Sequence, residues 1–202
     1  MSDLLAHVPH TRLVPEGHYG PAGTPGVTAR QVLGLAAATL AARKGKAADL
    51  VARLAGAGIP LADAPKAVST AALTAVGTGP GRWLITAEGQ TGATLLARLQ
   101  TICGPDAAVT DQSDANVVLD IGGAHVRAAL AKGVALDLDP RAFAAGDAAT
   151  TVVSHVGITL WQTEEAPAYR VAVARSFAPA FLRWLTASAA EFGFALSGTG
   201  RG

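Results

Sequence analysis

One cysteine, Cys103, stands in a chain of 202 residues. That scarcity excludes an intrachain disulfide framework and any cluster of thiolate metal ligands. Charge is sparse as well: 15% of the residues are charged and the formal net charge is +1. The arginines are scattered, so the sequence carries no electrostatic footprint for DNA or RNA. No stretch approaches the roughly twenty consecutive apolar residues of a membrane span. The opening MSDLLAHVPH has an early acid and no apolar signal core, and it reads as the start of a cytoplasmic protein. What the chain does have is apolar residues, at 50% of the total, with a mean hydropathy of +0.33. Much of this is alanine, but the excess still points to a large buried or partner-facing surface.

Glycine and proline are the main punctuation. Residues 1–29 carry Pro9, Pro15, Pro21 and Pro25 among Gly17, Gly20, Gly23 and Gly26, and read as an irregular arm unable to build a core alone. The stretch VGTGPGRWLIT (76–86) has the glycines of a phosphate-binding loop, but the chemistry needs a strand before it and a helix after it. Here Val68–Val76 and Arg82–Thr86 both look like strands, so the Gly-Pro-Gly reads as a hairpin turn.

The remaining order is coarse but regular. A strand over Ala37–Arg43 leads to a helix over Lys46–Ala57, the hairpin follows, and Leu95, Leu96, Leu99 and Ile102 mark a second helix before a strand at Ala107–Thr110. The alanines of Ala37–Arg43 leave a helix possible there. The order then repeats. DANVVLDIGG is a strand, AHVRAALAKG a helix, and TTVVSHV, ITLWQT and AYRVAVAR are strands. A last helix, capped by Ser176, has Phe177, Phe181, Leu185 and Phe192 as its apolar stripe. The expected fold is α+β: two ferredoxin-like halves, about 33–112 and 113–194, with antiparallel sheets covered by helices on one face. They form a single domain over 30–196, with residues 197–202 as a flexible tail. Trp83 and Trp161 are expected on equivalent, buried strands of the two halves.

Candidate chemistry is thin. His7, His10 and His18 lie in the arm, where ligands do not converge from rigid elements, and read as solvated or partner-contacting. Asp139 before Pro140 is a turn former. Asp137 and Asp139 share a face if their segment is a strand, but no neighbour splits their pKa values for proton transfer. Asp111 and Asp114 sit in TDQSDAN. Cys103 reads as a small buried hydrophobe. Ser154 and His155, adjacent in a strand, point to opposite faces. No catalytic, cofactor-binding or metal residue is assigned. Arg141 and Phe143, in a long irregular segment from Asp137 to Asp147, have the composition of subunit-interface anchors.

Three stretches, GPGRWLI (79–85), residues 110–147 and residues 158–185, resemble the gamma subunits of heterotetrameric sarcosine oxidases. The D-Q-S-D, K-G and D-L-D-P-R-x-F runs of the middle block are the most specific. DQSDANVVLDIGGAHVRAALAKG is also similar to folate-dependent aminomethyltransferases, which implies an aminomethyltransferase-like fold. The acidic pair that precedes the equivalent strand in those enzymes is replaced here by Val153–Gly157, which argues against a folate site. The resemblance implies a non-catalytic gamma subunit, cofactor-free, in a complex with alpha, beta and delta subunits, chiefly the large alpha subunit. That complex converts sarcosine to glycine, passes the one-carbon unit to tetrahydrofolate and forms hydrogen peroxide. FAD, FMN, NAD, tetrahydrofolate and zinc are expected on the partners. The alternatives are the equivalent subunit of a complex acting on another N-methyl amino acid, such as N-methylglutamate, and a freestanding folate-binding protein.

Overall fold

The chain, seen in a computed structural model, is described over residues 14–199. The first repeat begins with β3 (Ala36–Ala42), α1 (Ala47–Gly56), β4 (Ala67–Ser69) and β5 (Thr74–Gly79). It continues through β6 (Arg82–Ala87) and α2 (Gly92–Cys103) to β7 (Ala107–Asp111). α1 turns Leu50 and Leu54 inward, and α2 does the same with Leu95 and Leu99. Thr91 starts α2 by accepting the Thr94 N–H on its hydroxyl at 3.2 Å, and Gly104 follows its end. The turn after β5 uses Pro80 and a left-handed Gly81 (φ 63°), whose N–H donates to Asp63 at 2.7 Å. It is the hairpin expected between β5 and β6. The single strand expected over Val68–Val76 is in fact two, β4 and β5. The Thr70 hydroxyl accepts the N–H groups of Ala72 and Leu73 and turns the chain between them.

The second repeat runs through β8 (Asn116–Gly122), α3 (Val126–Leu130), β9 (Ala148–Val153), β10 (Val156–Glu164) and β11 (Ala168–Ala174). It closes with α4 (Ala178–Ala189) and β12 (Phe194–Ser197). The sheets have the orders β4-β5-β6-β3-β7 and β1-β12-β2-β8-β11-β10-β9, where β1 is Gly17–Tyr19 and β2 is Val27–Gln31. β4, β5, β6, β3 and β7 thus correspond to β9, β10, β11, β8 and β12. The duplication is complete except that β2 is inserted between β8 and β12, pairing parallel with β12 and antiparallel with β8.

Each sheet carries its helices on one face. α1 and α2 pack on the five-stranded sheet around Leu40, Trp83 and Ile85, and α3 and α4 on the seven-stranded sheet around Leu119, Tyr169 and Val171. The bare faces meet through Ala37, Val76, Leu84, Val118, Ala148, Trp161 and Ala172. Small alanines opposite one large indole let the sheets approach closely, which accounts for part of the alanine content. Along one side the edges are joined: Ala67 N–H donates to Gly146 O at 2.8 Å and Ala148 N–H to Pro65 O at 3.0 Å.

Several expectations are corrected. Within the supposed arm, Gly17–Tyr19 and Val27–Gln31 are strands, with Val27 fully buried. Their partners, β12 and β8, lie far away in sequence, so local pattern gave no sign of them. At the supposed tail, Thr199 is buried and its hydroxyl donates to Val14 O at 3.2 Å. Ser154 and His155 are not in a strand. Both have positive φ (45° and 71°) and form the two-residue turn between β9 and β10. The N-cap of α4 is Phe177 rather than Ser176, and Phe177 is 54% exposed instead of facing the core. Trp83 and Trp161 are both buried, but on β6 and β10, which are not equivalent strands. The tryptophan argument for duplication fails. The duplication itself rests on the strand order.

Candidate functional site

The candidate residues of the sequence are dispersed. His7 and His10 lie outside the described residues; His18 binds Pro21 O through Nε2 at 2.6 Å. His125 stacks on Phe192 with centroids 5.0 Å apart. Among the described residues no group of three His, Cys, Asp or Glu side chains gathers as metal ligands would. Cys103 is buried at the end of α2, and that burial pushes its thiol pKa up, making it a poor nucleophile at neutral pH.

The acids act as local clamps. Asp111 takes the Ser113 hydroxyl at 2.7 Å and the Ser113 N–H at 2.9 Å, which hold its carboxyl below the usual range. Asp114 is exposed and pairs with Arg175 at 3.6 Å. The segment holding Asp137 and Asp139 is irregular, not a strand, so no carboxylate pair shares a face. Asp137 instead accepts the Asp139 N–H at 2.9 Å. Asp139 accepts the Arg141 side chain and backbone N–H, both at 2.9 Å, and the guanidinium keeps its pKa low. Phe143 sits in the chain's own core, 7% exposed, against Tyr169 with centroids 6.4 Å apart. Arg141 is exposed, its side chain 91% accessible. The structure separates the two: Phe143 anchors the core, while Arg141 is an exposed cation paired with Asp139.

A cleft of about 550 Å3 lies on the seven-stranded sheet. Arg30 on β2, Asp120 on β8 and Arg170 on β11 stand in register across neighbouring strands. Asp120 is bonded by Arg170 at 2.7 and 3.4 Å and by Arg30 at 3.0 Å. Arg170 also reaches Glu88, beyond β6, at 3.4 Å. The floor is Thr28, Gly122, Ala168, Ala195 and Ser197, and Thr163 and Glu164 form one wall. This is an arrangement for gripping, not for bond-making: it offers guanidinium donors and carboxylate acceptors already paired with one another. Sequence reading missed it. The only signal was an acid inside an apolar strand (VVLDIGG) and an arginine inside another (YRVAV), each needing a partner.

Comparison with known proteins completes the picture. The family model described as "Sarcosine oxidase, gamma subunit family" matches residues 41–191. The sarcosine oxidase subunit gamma of Corynebacterium sp. (strain U-96) is 32% identical over 138 residues, 68% of this chain and 66% of that protein. The same subunit of strain P-1 is 32% identical over 143 residues, 70% of this chain and 69% of that one. These alignments span about two thirds of the relatives' length. A chain of the heterotetrameric sarcosine oxidase from Corynebacterium sp. U-96, solved with pyrrole 2-carboxylate, superposes with a TM-score of 0.74 and 29% identity. That match covers 86% of this chain and 88% of the other. The glycine cleavage system aminomethyltransferase T from Bartonella henselae matches with a TM-score of 0.63 at 12% identity, over 94% of this chain and 49% of that one. At that identity the likeness is one of fold, and it is the aminomethyltransferase-like fold.

Proposed function

This chain belongs to the sarcosine oxidase gamma subunit family, and from that premise we propose that it is the non-catalytic gamma subunit of a four-subunit complex oxidising sarcosine. The observation that carries the reading is the superposition, at a TM-score of 0.74, on 88% of a chain from such a heterotetramer. In this reading the complex demethylates sarcosine to glycine, transfers the one-carbon unit to tetrahydrofolate and reduces oxygen to hydrogen peroxide. Alpha, beta and delta subunits are the partners, and they carry FAD, FMN, NAD, tetrahydrofolate and zinc.

Two observations support placing the folate on a partner. The layer between the sheets is filled by Trp161, Leu84 and Val118, leaving no room there for a ring system. The residues before Ile158, where related aminomethyltransferases have acids, are Ser154 and His155 in a tight turn with no carboxylate. This chain's residues therefore do not fit a folate.

The test is capture of the tagged chain from native cells, with visible absorption of what accompanies it. Larger subunits with a flavin spectrum and sarcosine-dependent peroxide formation are expected. The chain purified alone is expected to be colourless and inactive. A stoichiometric flavin spectrum from the lone chain, or capture of nothing, overturns the reading.

A further inference from the structure

Because β4 and β9 are joined along one side, the extra width of the seven-stranded sheet over the five-stranded one emerges wholly on the other side. The change can be followed along single strands. On β8 the residues of one face run Val118, Asp120, Gly122; on β11 the same face runs Ala172, Arg170, Ala168. Val118 and Ala172 lie beneath the second sheet. Asp120 and Arg170 mark its border, where Glu88 reaches across. Gly122 and Ala168, with Thr28 and Ala195, floor the open cleft.

Two features of this open face are not explained by the chain's own packing. The first is Gly122. A glycine in a paired strand is less favourable than alanine and often marks close approach by another backbone. Gly122 is paired with both Thr28 and Ala168, without a bulge, and its φ is not in the left-handed region. A Cβ there would meet nothing nearer than Pro167 O at 3.7 Å, an ordinary contact. The second is Arg30. Asp120 is already held by Arg170, and Arg30 reaches it through one nitrogen only, with its side chain 65% exposed. Its remaining N–H donors stand at one side of the cleft, and Glu164 stands at the other.

We propose that this open face of β12, β2, β8 and β11 is the docking site for an extended segment of a neighbouring subunit of the complex. The segment lies close against Gly122, presents a carboxylate to Arg30 and turns a basic or amide group toward Glu164. The unused donors of Arg30 and the Glu164 carboxylate, across the cleft from each other, set the direction in which the segment lies. Bidentate pairing of Arg30 with an incoming carboxylate is the strong form of such a contact. The small floor lets the backbone approach without steric cost. This inference rests on the gamma-subunit reading.

The test uses the whole complex, co-expressed with this chain as wild type, Arg30→Glu, Gly122→Val, or Lys44→Glu as a control on the exposed turn between β3 and α1. Assembly is read by co-purification and by the dissociation constant of the tagged chain; folding is read by its melting temperature. Arg30→Glu and Gly122→Val are each expected to weaken assembly at least tenfold, while Lys44→Glu assembles normally. Arg30→Glu is expected to melt within a few degrees of wild type. Wild-type assembly by a folded Arg30→Glu chain overturns the proposal and leaves the gamma-subunit reading standing. Failure of the wild-type chain itself to assemble overturns both. If Gly122→Val does not fold, Arg30→Glu decides alone.

Discussion

The two halves follow one path and end in different places. In the first, β3 and β7 are direct neighbours and the sheet stops there, while in the second β2 is wedged between β8 and β12 and β1 is added beyond. The covering layers differ too. α1 has ten residues where its counterpart α3 has five, and the long segment to β9 takes over part of the cover by sending Phe143 onto Tyr169. One half is a plain packing unit. The other has spent part of its sheet on an open face. Chain from outside the second repeat, not change within it, created the candidate site, since Arg30 belongs to the inserted strand.

The widest break in the comparison comes from the two tryptophans, because each fills a different layer. Trp161 lies between the sheets and is shared by both halves, whereas Trp83 lies under α1 and α2 and belongs to one. Trp161→Ala and Trp83→Ala are each expected to cost about 3–5 kcal/mol. Their patterns should differ. Hydrogen exchange should rise in both sheets for Trp161→Ala, but mainly in β3–β7 for Trp83→Ala, which also frees the Ala62 carbonyl now held by the indole N–H at 2.7 Å. Identical exchange maps would show that the layers are not separable units.

Glycines sharpen the same contrast at a smaller scale. Gly77 secures the first half, since a Cβ there would lie 2.0 Å from Ala64 O. Gly123 secures the inserted strand, having φ +113° and only 2.4 Å to Gly26 O. Either residue changed to alanine is expected to lose about 1–3 kcal/mol through overpacking, with backbone strain added at Gly123. Gly157→Ala, with nothing within 4 Å, is expected to change stability little. Chemical denaturation of the three variants checks this. Equal, small effects would mean that the inserted strand is not held by close backbone contact.

What the sequence made legible follows from range. The alternation of strands and helices could be read twice because each helix has its own periodic stripe and the Pro80–Gly81 hairpin its own turn chemistry, although β4 and β5 were merged into one strand and β12 was not read. The family could be read because the D-L-D-P-R-x-F run is local. Strands β1 and β2 were not legible: they are short, rich in neighbouring glycine and proline, and stabilised by residues about ninety or more positions away, as in Arg30 with Asp120. The Ser154–His155 turn hid because a two-residue hairpin without glycine looks like continuous strand. Phe143 carried the signature of an interface anchor, yet composition cannot tell a partner's core from the chain's own. Arg141 keeps its exposed cation and stays a candidate contact.

The smallest expected effect concerns the joined edge, where the halves meet through Lys66 and Asp147. The Asp147 carboxylate accepts from Lys66 Nζ and from the Ala144 N–H at 2.9 Å. The Lys66 hydrogen bond and then the backbone N–H hold its pKa below the ordinary aspartate value, against the opposing pull of burial. A carboxyl whose folded pKa is depressed stabilises the fold above its unfolded value of about 3.9, and that contribution is lost as pH falls through the folded value. Because the Lys66 side chain is 54% exposed, solvent screens the pair and limits it to about 1 kcal/mol or less. Asp147→Asn is therefore expected to melt slightly below wild type at pH 7, with the gap closing as pH falls below about 4. Asp106→Asn removes the carboxylate that Arg53 holds at 2.6 Å within the first half, and it should follow the same pH direction, since that guanidinium lowers the Asp106 pKa. The two variants should separate in hydrogen exchange: Asp147→Asn loosens β4 and β9 together, while Asp106→Asn loosens only the ends of α1 and α2. A gap between wild type and Asp147→Asn that stays constant from pH 7 to pH 2 would mean that the carboxylate's charge plays no part in joining the halves.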